Sequence, residues 1–253
     1  MCDNCGCNIT HGNEHLLGEG GKLHQVHGEL SVEVLENLLH ENDHQASHNR
    51  EHFEKHRVLA INLMSSPGSG KTTLLQKALP VLGKKYRVAV IEGDLETEND
   101  AQRLRDAGVE AIQITTGSAC HLDSHMVHDA LHKLNLAELD IVFIENVGNL
   151  VCPASFDLGH HLNVVMLSVT EGDDKPSKYP VMFRAADLML ITKTDLLPYL
   201  DDFSCERAEM AMSQLAKPIE IIQVSARNEE SYAPWIAWIE QQWKTRYEVA
   251  QSA

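Results

Sequence analysis

The sequence predicts an α/β protein built on a doubly wound, mostly parallel sheet of about seven strands. Seven short apolar runs alternate with helical patterns, and the apolar residues within each run are nearly continuous. Strands that are covered by helices on both faces have this composition. A glycine-rich motif follows the first run directly, at the edge where such sheets bind ligands. The predicted strands are 58–64, 87–94, 110–116, 140–146, 163–169, 187–193 and 219–225.

The composition excludes several classes of function. The chain has 253 residues with 21 Lys and Arg against 37 Asp and Glu, a formal net charge of −16. This balance argues against nucleic acid and anionic membrane surfaces as partners. No apolar stretch approaches the ~18–20 residues of a membrane-spanning helix, and the first residues lack the basic and then apolar pattern of a secretory signal, so we expect a cytoplasmic protein. Six cysteines in a chain of this length favour metal ligands, reactive thiols or buried residues over a disulfide framework.

The first 56 residues differ from the rest of the chain. They hold nine of the 15 histidines and three of the six cysteines. Residues 1–30 are polar and glycine-rich without periodicity, which predicts a flexible metal-binding tail. From Ser31 a cap and a short apolar stripe predict one helix over 31–56 that leads into the α/β domain, residues 57–253.

The motif SSPGSGKTTLL predicts a phosphate-binding loop between the first strand and a helix. Glycines allow the backbone N–H groups to point at one phosphate, the lysine reaches the β and γ oxygens, and the following hydroxyl ligates Mg²⁺. Ser65 stands where the usual pattern has its first glycine. The alternative is a glycine turn with an exposed lysine. The predicted contacts to the nucleotide are Ser66, Gly68, Ser69, Gly70, Lys71, Thr72 and Thr73.

Acidic residues end two further strands. Glu92 and Asp94 lie at the end of the second apolar run, and Glu145 lies at the end of the fourth. We predict that Asp94 and Glu145 join Thr72 at the Mg²⁺ ion and act with Lys71 in catalysis. The alternative is that these acids cap the helices that follow.

The last two strand ends predict the choice of base. Asp195 in TKTD can accept hydrogen bonds from N1–H and the 2-amino group of guanine, while the stem of Lys193 packs over the purine. Ser225 and Ala226 supply a backbone N–H to the guanine oxygen. Thr192 replaces the usual asparagine and can still hydrogen-bond neighbouring loops. The sequence therefore predicts GTP as the nucleotide, bound to a P-loop GTPase domain.

Two groups of possible soft-metal ligands remain. Cys120, His121 and Cys152 follow strand ends near the nucleotide and suit Ni²⁺ or Zn²⁺, with water or a second subunit completing the shell. The alternative is buried cysteines and a satisfied histidine. The N-terminal thiols are Cys2, Cys5 and Cys7 in MCDNCGC, which can wrap one ion because glycine permits the bend. The alternative there is a redox-labile tail.

The motifs SSPGSGKTT, VIEGD, GSACHLD, FIENVGNLVCPASFDLG and SVTEGDDKP, with a leading CDNCGC, resemble the HypB family of metal-binding GTPases. The resemblance implies GTP-driven homodimerisation and hydrolysis, coupled to delivery of Ni²⁺ to nickel–iron hydrogenase. It implies a high-affinity nickel site at the N-terminal cysteines and a nickel or zinc site at the Cys–His–Cys set. It also implies a HypA-type nickel chaperone and the hydrogenase large-subunit precursor as partners. A urease-type nickel GTPase and a nickel storage protein are the alternatives.

Histidines recur at every fourth position of the predicted first helix, at His40, His44, His48, His52 and His56. Imidazoles at i and i+4 can share one metal ion, so nickel buffering by this stripe is a hypothesis. His121, His125, His128 and His132 have similar spacing. The alternative is a solvated helix face that titrates in the imidazole range.

Overall fold

The computed structural model describes residues 29–94, 98–117, 119–215 and 218–248. The predicted nickel ligands Cys2, Cys5 and Cys7 lie outside the described residues, and their role stays a prediction.

The described part of the chain forms one seven-stranded sheet in which every neighbouring pair is parallel. The order is β3-β2-β4-β1-β5-β6-β7, so the first strand is central. This confirms the predicted fold class. The strands are β1 Leu59–Ser65, β2 Val88–Asp94, β3 Glu110–Thr115, β4 Ile141–Glu145, β5 Leu162–Ser168, β6 Leu188–Thr192 and β7 Glu220–Gln223.

Helices cover both faces of this sheet. No helix in the described ranges combines the length and apolar character needed to cross a membrane. The helices are α1 Glu29–His56, α2 Lys71–Leu82, α3 Asn99–Asp106, α4 Ser124–Leu131, α5 Lys175–Lys178, α6 Pro180–Arg184, α7 Cys205–Ser213 and α8 Glu229–Tyr247, with short 3₁₀ turns at Leu136–Glu138, Cys152–Ser155 and Thr194–Tyr199.

The side chains of the central strand alternate between two apolar layers. Leu59, Ile61 and Leu63 pack with α2, α3 and α8, while Ala60 packs on the other face with α1 and α4. Residues of α6 and α7 cover β5 and β6 on that second face. Every residue of β1 is buried, which explains why its sequence is apolar almost throughout.

Helix α1 is joined to the domain by buried polar contacts as well as by Phe53. Asn49 donates from its amide to the carbonyls of Ser124 (2.7 Å) and Leu158 (3.2 Å). Gly159 has a φ of +84°, and a Cβ there would lie 2.5 Å from the carbonyl oxygen of Ala46. Only glycine permits this approach, so the loop before β5 is shaped to receive α1.

The register brings the carboxyl ends of three strands together. Glu92 of β2 lies opposite Glu145 of β4, and Leu63 of β1 lies opposite Glu145 on its other side. The loop after β1 therefore begins beside two acidic side chains, which positions the site described next.

Candidate nucleotide and metal sites

The loop between β1 and α2 has the backbone of a phosphate-binding loop. Gly68 and Gly70 have φ values of +74° and +95°, which side chains other than glycine rarely adopt. Lys71 donates from Nζ to Oγ of Ser65 at 2.9 Å, and Ser69 donates to the same oxygen at 2.5 Å. The serine in place of the usual first glycine thus holds the lysine and the loop in position.

Three carboxylates meet beside the first turn of α2. The Oγ1 atom of Thr72 lies 2.7 Å from Oε1 of Glu145 and 2.9 Å from Oδ2 of Asp100. Oxygen atoms of Glu92, Asp100 and Glu145 all lie within 4.8 Å of one another. Burial, and then the charges of Glu145 and Asp94, raise the pKa of Glu92 to about 8. Burial also raises the pKa of Glu145. Converging acids of this kind are suited to a divalent cation.

The predicted magnesium ligands are only partly in this group. Thr72 and Glu145 belong to it, whereas Asp94 lies half-buried at the end of β2 and is not one of the three clustered acids. The magnesium role of Asp94 stays a prediction. Asp100, which the sequence did not single out, comes from the first turn of α3 and is held by Arg103 at 2.8 Å.

The residues predicted to read the base lie around a cleft of about 220 Å³ next to the phosphate loop. Asp195 accepts a 2.6 Å hydrogen bond on Oδ1 from Oγ of Ser225, which fixes the carboxylate beside the cleft. Ala226 and Lys193 line the cleft as well. Thr192 donates from Oγ1 to the carbonyl of Ser69 at 2.8 Å, so it does bond a neighbouring loop as predicted.

Lys193 connects the base-reading turn to the phosphate loop. It has a φ of +58° and donates from Nζ to the carbonyl of Gly68 at 2.6 Å. The other predicted phosphate contacts lie close by. Ser66 and Thr73 are both half-buried, and Thr73 accepts a hydrogen bond from Arg103 at 3.1 Å.

A larger cavity of about 650 Å³, lined by residues such as Tyr86, lies at the amino ends of the strands, away from these groups.

The three predicted soft ligands of the domain also lie together. Ligand atoms of Cys120, His121 and Cys152 are all within 4.8 Å of one another, and the two sulfur atoms are 3.2 Å apart. The His121 ring is buried and stacks on Phe156 with centroids 4.0 Å apart. Its Nε2 atom has no hydrogen-bond partner among the described residues.

Burial controls the protonation of this set. It lowers the pKa of His121 to about 4, so the imidazole is neutral at neutral pH. Burial and the hydrogen bond with Cys152 raise the pKa of Cys120 to about 11, so its thiol is protonated. A soft or borderline cation would displace the thiol protons and find the imidazole ready to bind.

The segment from Asn146 to Cys152 links the two sites. Asn149 donates from its backbone N–H to the carbonyl of Ser65 at 2.8 Å, and from its side chain to the carbonyl of Cys120 at 3.3 Å. A Cβ on Gly148 would lie 2.7 Å from Cα of Pro67, so this segment is in close contact with the phosphate loop. One short stretch therefore contacts both sites.

Fold and site together define a P-loop nucleotide-binding domain of the GTPase-like class, with a second cluster of thiol and imidazole side chains that could hold a metal ion. Residues 59–223 match the family model described as CobW/HypB/UreG, nucleotide-binding domain. The chain belongs to this family, and its similarity to named relatives places it in the HypB branch.

Three relatives show the extent of the similarity. Hydrogenase maturation factor HypB of Azotobacter vinelandii is 53% identical over 215 residues, covering 85% of this chain and 71% of the relative. Hydrogenase/urease maturation factor HypB of Helicobacter hepaticus is 45% identical over 222 residues, covering 86% of this chain and 90% of the relative. A crystal structure of HypB from Helicobacter pylori in complex with nickel superimposes with a TM-score of 0.77 at 41% identity, covering 82% and 97%.

Proposed function

We propose that the chain is a GTP-hydrolysing nickel metallochaperone for maturation of nickel–iron hydrogenase, with GTP-dependent dimerisation coupled to metal delivery. The observation that carries this proposal is the segment from Asn146 to Cys152, because it contacts the phosphate loop and the Cys–His–Cys set at once. A nucleotide-dependent shift of this segment would move a metal ligand, as in other γ-phosphate switches.

The nucleotide half of the cycle uses the phosphate loop and the base cleft. Asp195, Lys193, Ser225 and Ala226 select guanine. Lys71 is held by Ser65 without nucleotide and exchanges that partner for the β and γ oxygens when GTP binds. The transferred phosphoryl group gains negative charge, which a lysine in this position stabilises.

A magnesium ion would neutralise charge on the same oxygens. Thr72, Glu145 and Asp94 are the proposed ligands, and Asp100 and Glu92 are near enough to accept hydrogen bonds from its water molecules. Burial, and then repulsion from Glu145 and Asp94, raise the pKa of Glu92. A divalent ion beside these acids would offset the repulsive part of this shift.

The metal half uses Cys120, His121 and Cys152 as ligands for Ni²⁺ cargo, with Zn²⁺ as a second possible occupant. Three donors from one chain leave a position for water or for a second subunit. Val151, next to Cys152, is 52% exposed, so an apolar side chain beside the ligands is free to contact a second copy.

The N-terminal thiols complete the proposed carrier. Cys2, Cys5 and Cys7 would hold Ni²⁺ with high affinity and exchange it with a HypA-type chaperone, the GTPase domain or the hydrogenase large-subunit precursor. The names of the relatives support hydrogenase maturation as the process that is served.

The test is hydrolysis and assembly by the purified chain. We expect Mg²⁺-dependent hydrolysis of GTP at least 100-fold more efficient than that of ATP, loss of hydrolysis in Lys71→Ala, and a dimer that forms with GTP and Ni²⁺ but not with GDP. Glu138→Gln, at an exposed carboxylate away from the site, is the control. Equal use of ATP and GTP, or an oligomeric state that ignores nucleotide, would contradict the proposal.

Delivery of nickel to a urease is a second candidate, since the relative from Helicobacter hepaticus is named as a hydrogenase/urease factor. Restoring the chain to a bacterium that lacks its own HypB, and measuring hydrogenase and urease activities in the same cells, separates the two targets.

A further inference from the structure

Histidines from two different helices meet on the outside of the domain where α1 crosses α4. His52 lies on α1, and His128 and His132 lie in and just after α4. The His52 and His128 rings have centroids 5.8 Å apart, and the His128 and His132 rings 4.6 Å apart. We propose that the His128–His132 pair forms a further site for a borderline divalent cation, Ni²⁺, Zn²⁺ or Cu²⁺, separate from the Cys–His–Cys set, and that the His52 ring turns to supply a third ligand.

The distance between the two α4 histidines suits a shared ion. Nε2 of His128 and Nε2 of His132 are 3.1 Å apart. An imidazole nitrogen binds such an ion at about 2.1 Å. Two nitrogens at that distance lie about 3.0 Å apart when the nitrogen–metal–nitrogen angle is a right angle, and about 3.4 Å apart when it is tetrahedral. The observed separation falls between these values, so small side-chain adjustments suffice to bind.

The tautomer of His128 is fixed in the form that a metal needs. Asn49 uses its amide hydrogens on the carbonyls of Ser124 and Leu158, so its Oδ1 is an acceptor. His128 must therefore donate from Nδ1 to this oxygen, at 3.0 Å. Its Nε2 then carries a lone pair directed at His132. Metal-binding histidines are commonly held in this way, with the second ring nitrogen donating to a protein oxygen.

Without a metal, the 3.1 Å contact is a hydrogen bond that His132 donates from Nε2, since His128 can only accept there. A cation takes the place of this proton. His132 is exposed, so its ring can release the Nε2 proton to solvent and carry one on Nδ1 instead. The pKa of His128 is lowered by burial and then by the neighbouring imidazoles, which keeps it neutral and able to bind.

The remaining histidine pairs of α1 lack this arrangement. His44 and His48 are both exposed, with ring centroids 5.2 Å apart, and no hydrogen bond in the described part of the chain fixes either ring. They are the matched comparison, because they share the i, i+4 spacing without the oriented ring or a neighbouring histidine on another helix.

An ion bound by His52 and the α4 pair would join α1 to the domain. Ligands that bind only the folded arrangement stabilise it by mass action, so the metal would hold α1 against α4. Metal occupancy at this site would then affect the helix that connects residues 1–28 to the domain.

The first test counts Ni²⁺ in the full chain with Cys2, Cys5, Cys7, Cys120 and Cys152 all changed to serine, which removes both proposed thiolate sites and leaves the buried Cys205. We expect His128→Ala with His132→Ala to remove one bound equivalent, or to weaken it at least tenfold in equilibrium dialysis. His44→Ala with His48→Ala should leave that equivalent in place. Unchanged Ni²⁺ binding in the His128→Ala, His132→Ala double variant would overturn the proposal. An equal loss of bound Ni²⁺ in the two double variants would overturn it as well.

The second test measures whether bound metal stabilises the packing of α1 against α4. Ni²⁺ should raise the melting temperature of the same serine-substituted chain, and His52→Ala should abolish most of that rise. Because each variant is compared with and without metal, any effect of His52→Ala on the fold itself cancels. A full Ni²⁺-dependent rise in His52→Ala would remove this residue from the site and contradict the three-ligand arrangement.

Discussion

In the proposed function, the side chain of Asp195 selects the base that the cleft accepts, because its two oxygens offer only acceptors to the base. Ser225 donates to Oδ1 at 2.6 Å, so the carboxylate is oriented before any nucleotide binds. A fixed acceptor pair matches the two donors on the edge of guanine, and adenine offers no such pair. Specificity that rests on buried polar groups is steep, because a mismatch leaves them unpaired.

Asp195→Asn should therefore change which nucleotide the protein prefers, rather than only weaken the binding of GTP. The amide presents one donor and one acceptor, which fits xanthine, where a carbonyl replaces the 2-amino group of guanine. We expect GTP affinity to fall at least 100-fold and xanthosine triphosphate to bind better than GTP. Competition titrations with fluorescent nucleotides measure both values. A variant that loses all nucleotides equally would contradict the assigned role.

Among the structural elements, the segment from Asn146 to Cys152 carries the proposed coupling. Gly148 has no room for a side chain, since a Cβ would lie 2.7 Å from Cα of Pro67 in the phosphate loop. The atom in the way is backbone, so the loop or the segment must move.

Gly148→Ala should separate the two sites without removing either set of ligands. We expect GTP hydrolysis to fall at least tenfold and the nickel affinity of the Cys–His–Cys set to stop responding to nucleotide. Steady-state hydrolysis and Ni²⁺ titration with GDP or a non-hydrolysable GTP analogue measure the two effects. Ser155→Ala, at an exposed position on the same connection, is the control. Normal coupling in Gly148→Ala would exclude this segment as the link.

The contact between β1 and the start of β5 predicts acid sensitivity. His161 accepts the backbone N–H of Ala60 on Nδ1 at 2.9 Å and faces Phe53 of α1. Burial, and then nearby cations, lower its pKa to about 3. The folded state favours the neutral form of the His161 ring. The stability that this neutral ring contributes is therefore fully present above the unfolded pKa of about 6.5, and it declines as the pH falls towards 3.

His161→Asn keeps an acceptor and removes the titration. Between pH 6.5 and 4, the free energy of unfolding should fall less steeply in this variant, by up to about 1.4 kcal/mol per pH unit, which corresponds to one proton. Urea unfolding at several pH values measures the slope. If the two slopes coincide, protonation of His161 does not contribute to acid unfolding.

The sequence predicts the elements better than it predicts the contacts between them. All seven strands lie within a few residues of the predicted runs, because strands buried on both faces must be apolar throughout. Asp100 was missed because it reaches the acidic cluster from a helix, where strand-end reasoning does not apply. The link through Asn149 depends on two tertiary hydrogen bonds that no local pattern encodes.

At the scale of the whole molecule, one domain places the proposed nucleotide site and the proposed soft-metal site at the same edge of its sheet. Parallel strands explain this arrangement, because their carboxyl ends all face one way and their loops share that surface. Cys120 follows β3, Cys152 follows β4 and the phosphate loop follows β1. The central claim is that occupancy of one site changes affinity at the other, and such coupling is reciprocal.

The most direct measurement uses the full chain with Cys2, Cys5 and Cys7 changed to serine. Of the three cysteines that remain, Cys205 is buried among apolar residues, so absorption from thiolate-to-nickel charge transfer reports Cys120 and Cys152. Cys152→Ala should abolish the signal. Ni²⁺ is titrated with saturating GDP and with a saturating non-hydrolysable GTP analogue. We predict that the two nickel dissociation constants differ at least tenfold, about 1.4 kcal/mol of coupling. Equal constants with both nucleotides demonstrably bound would contradict the account.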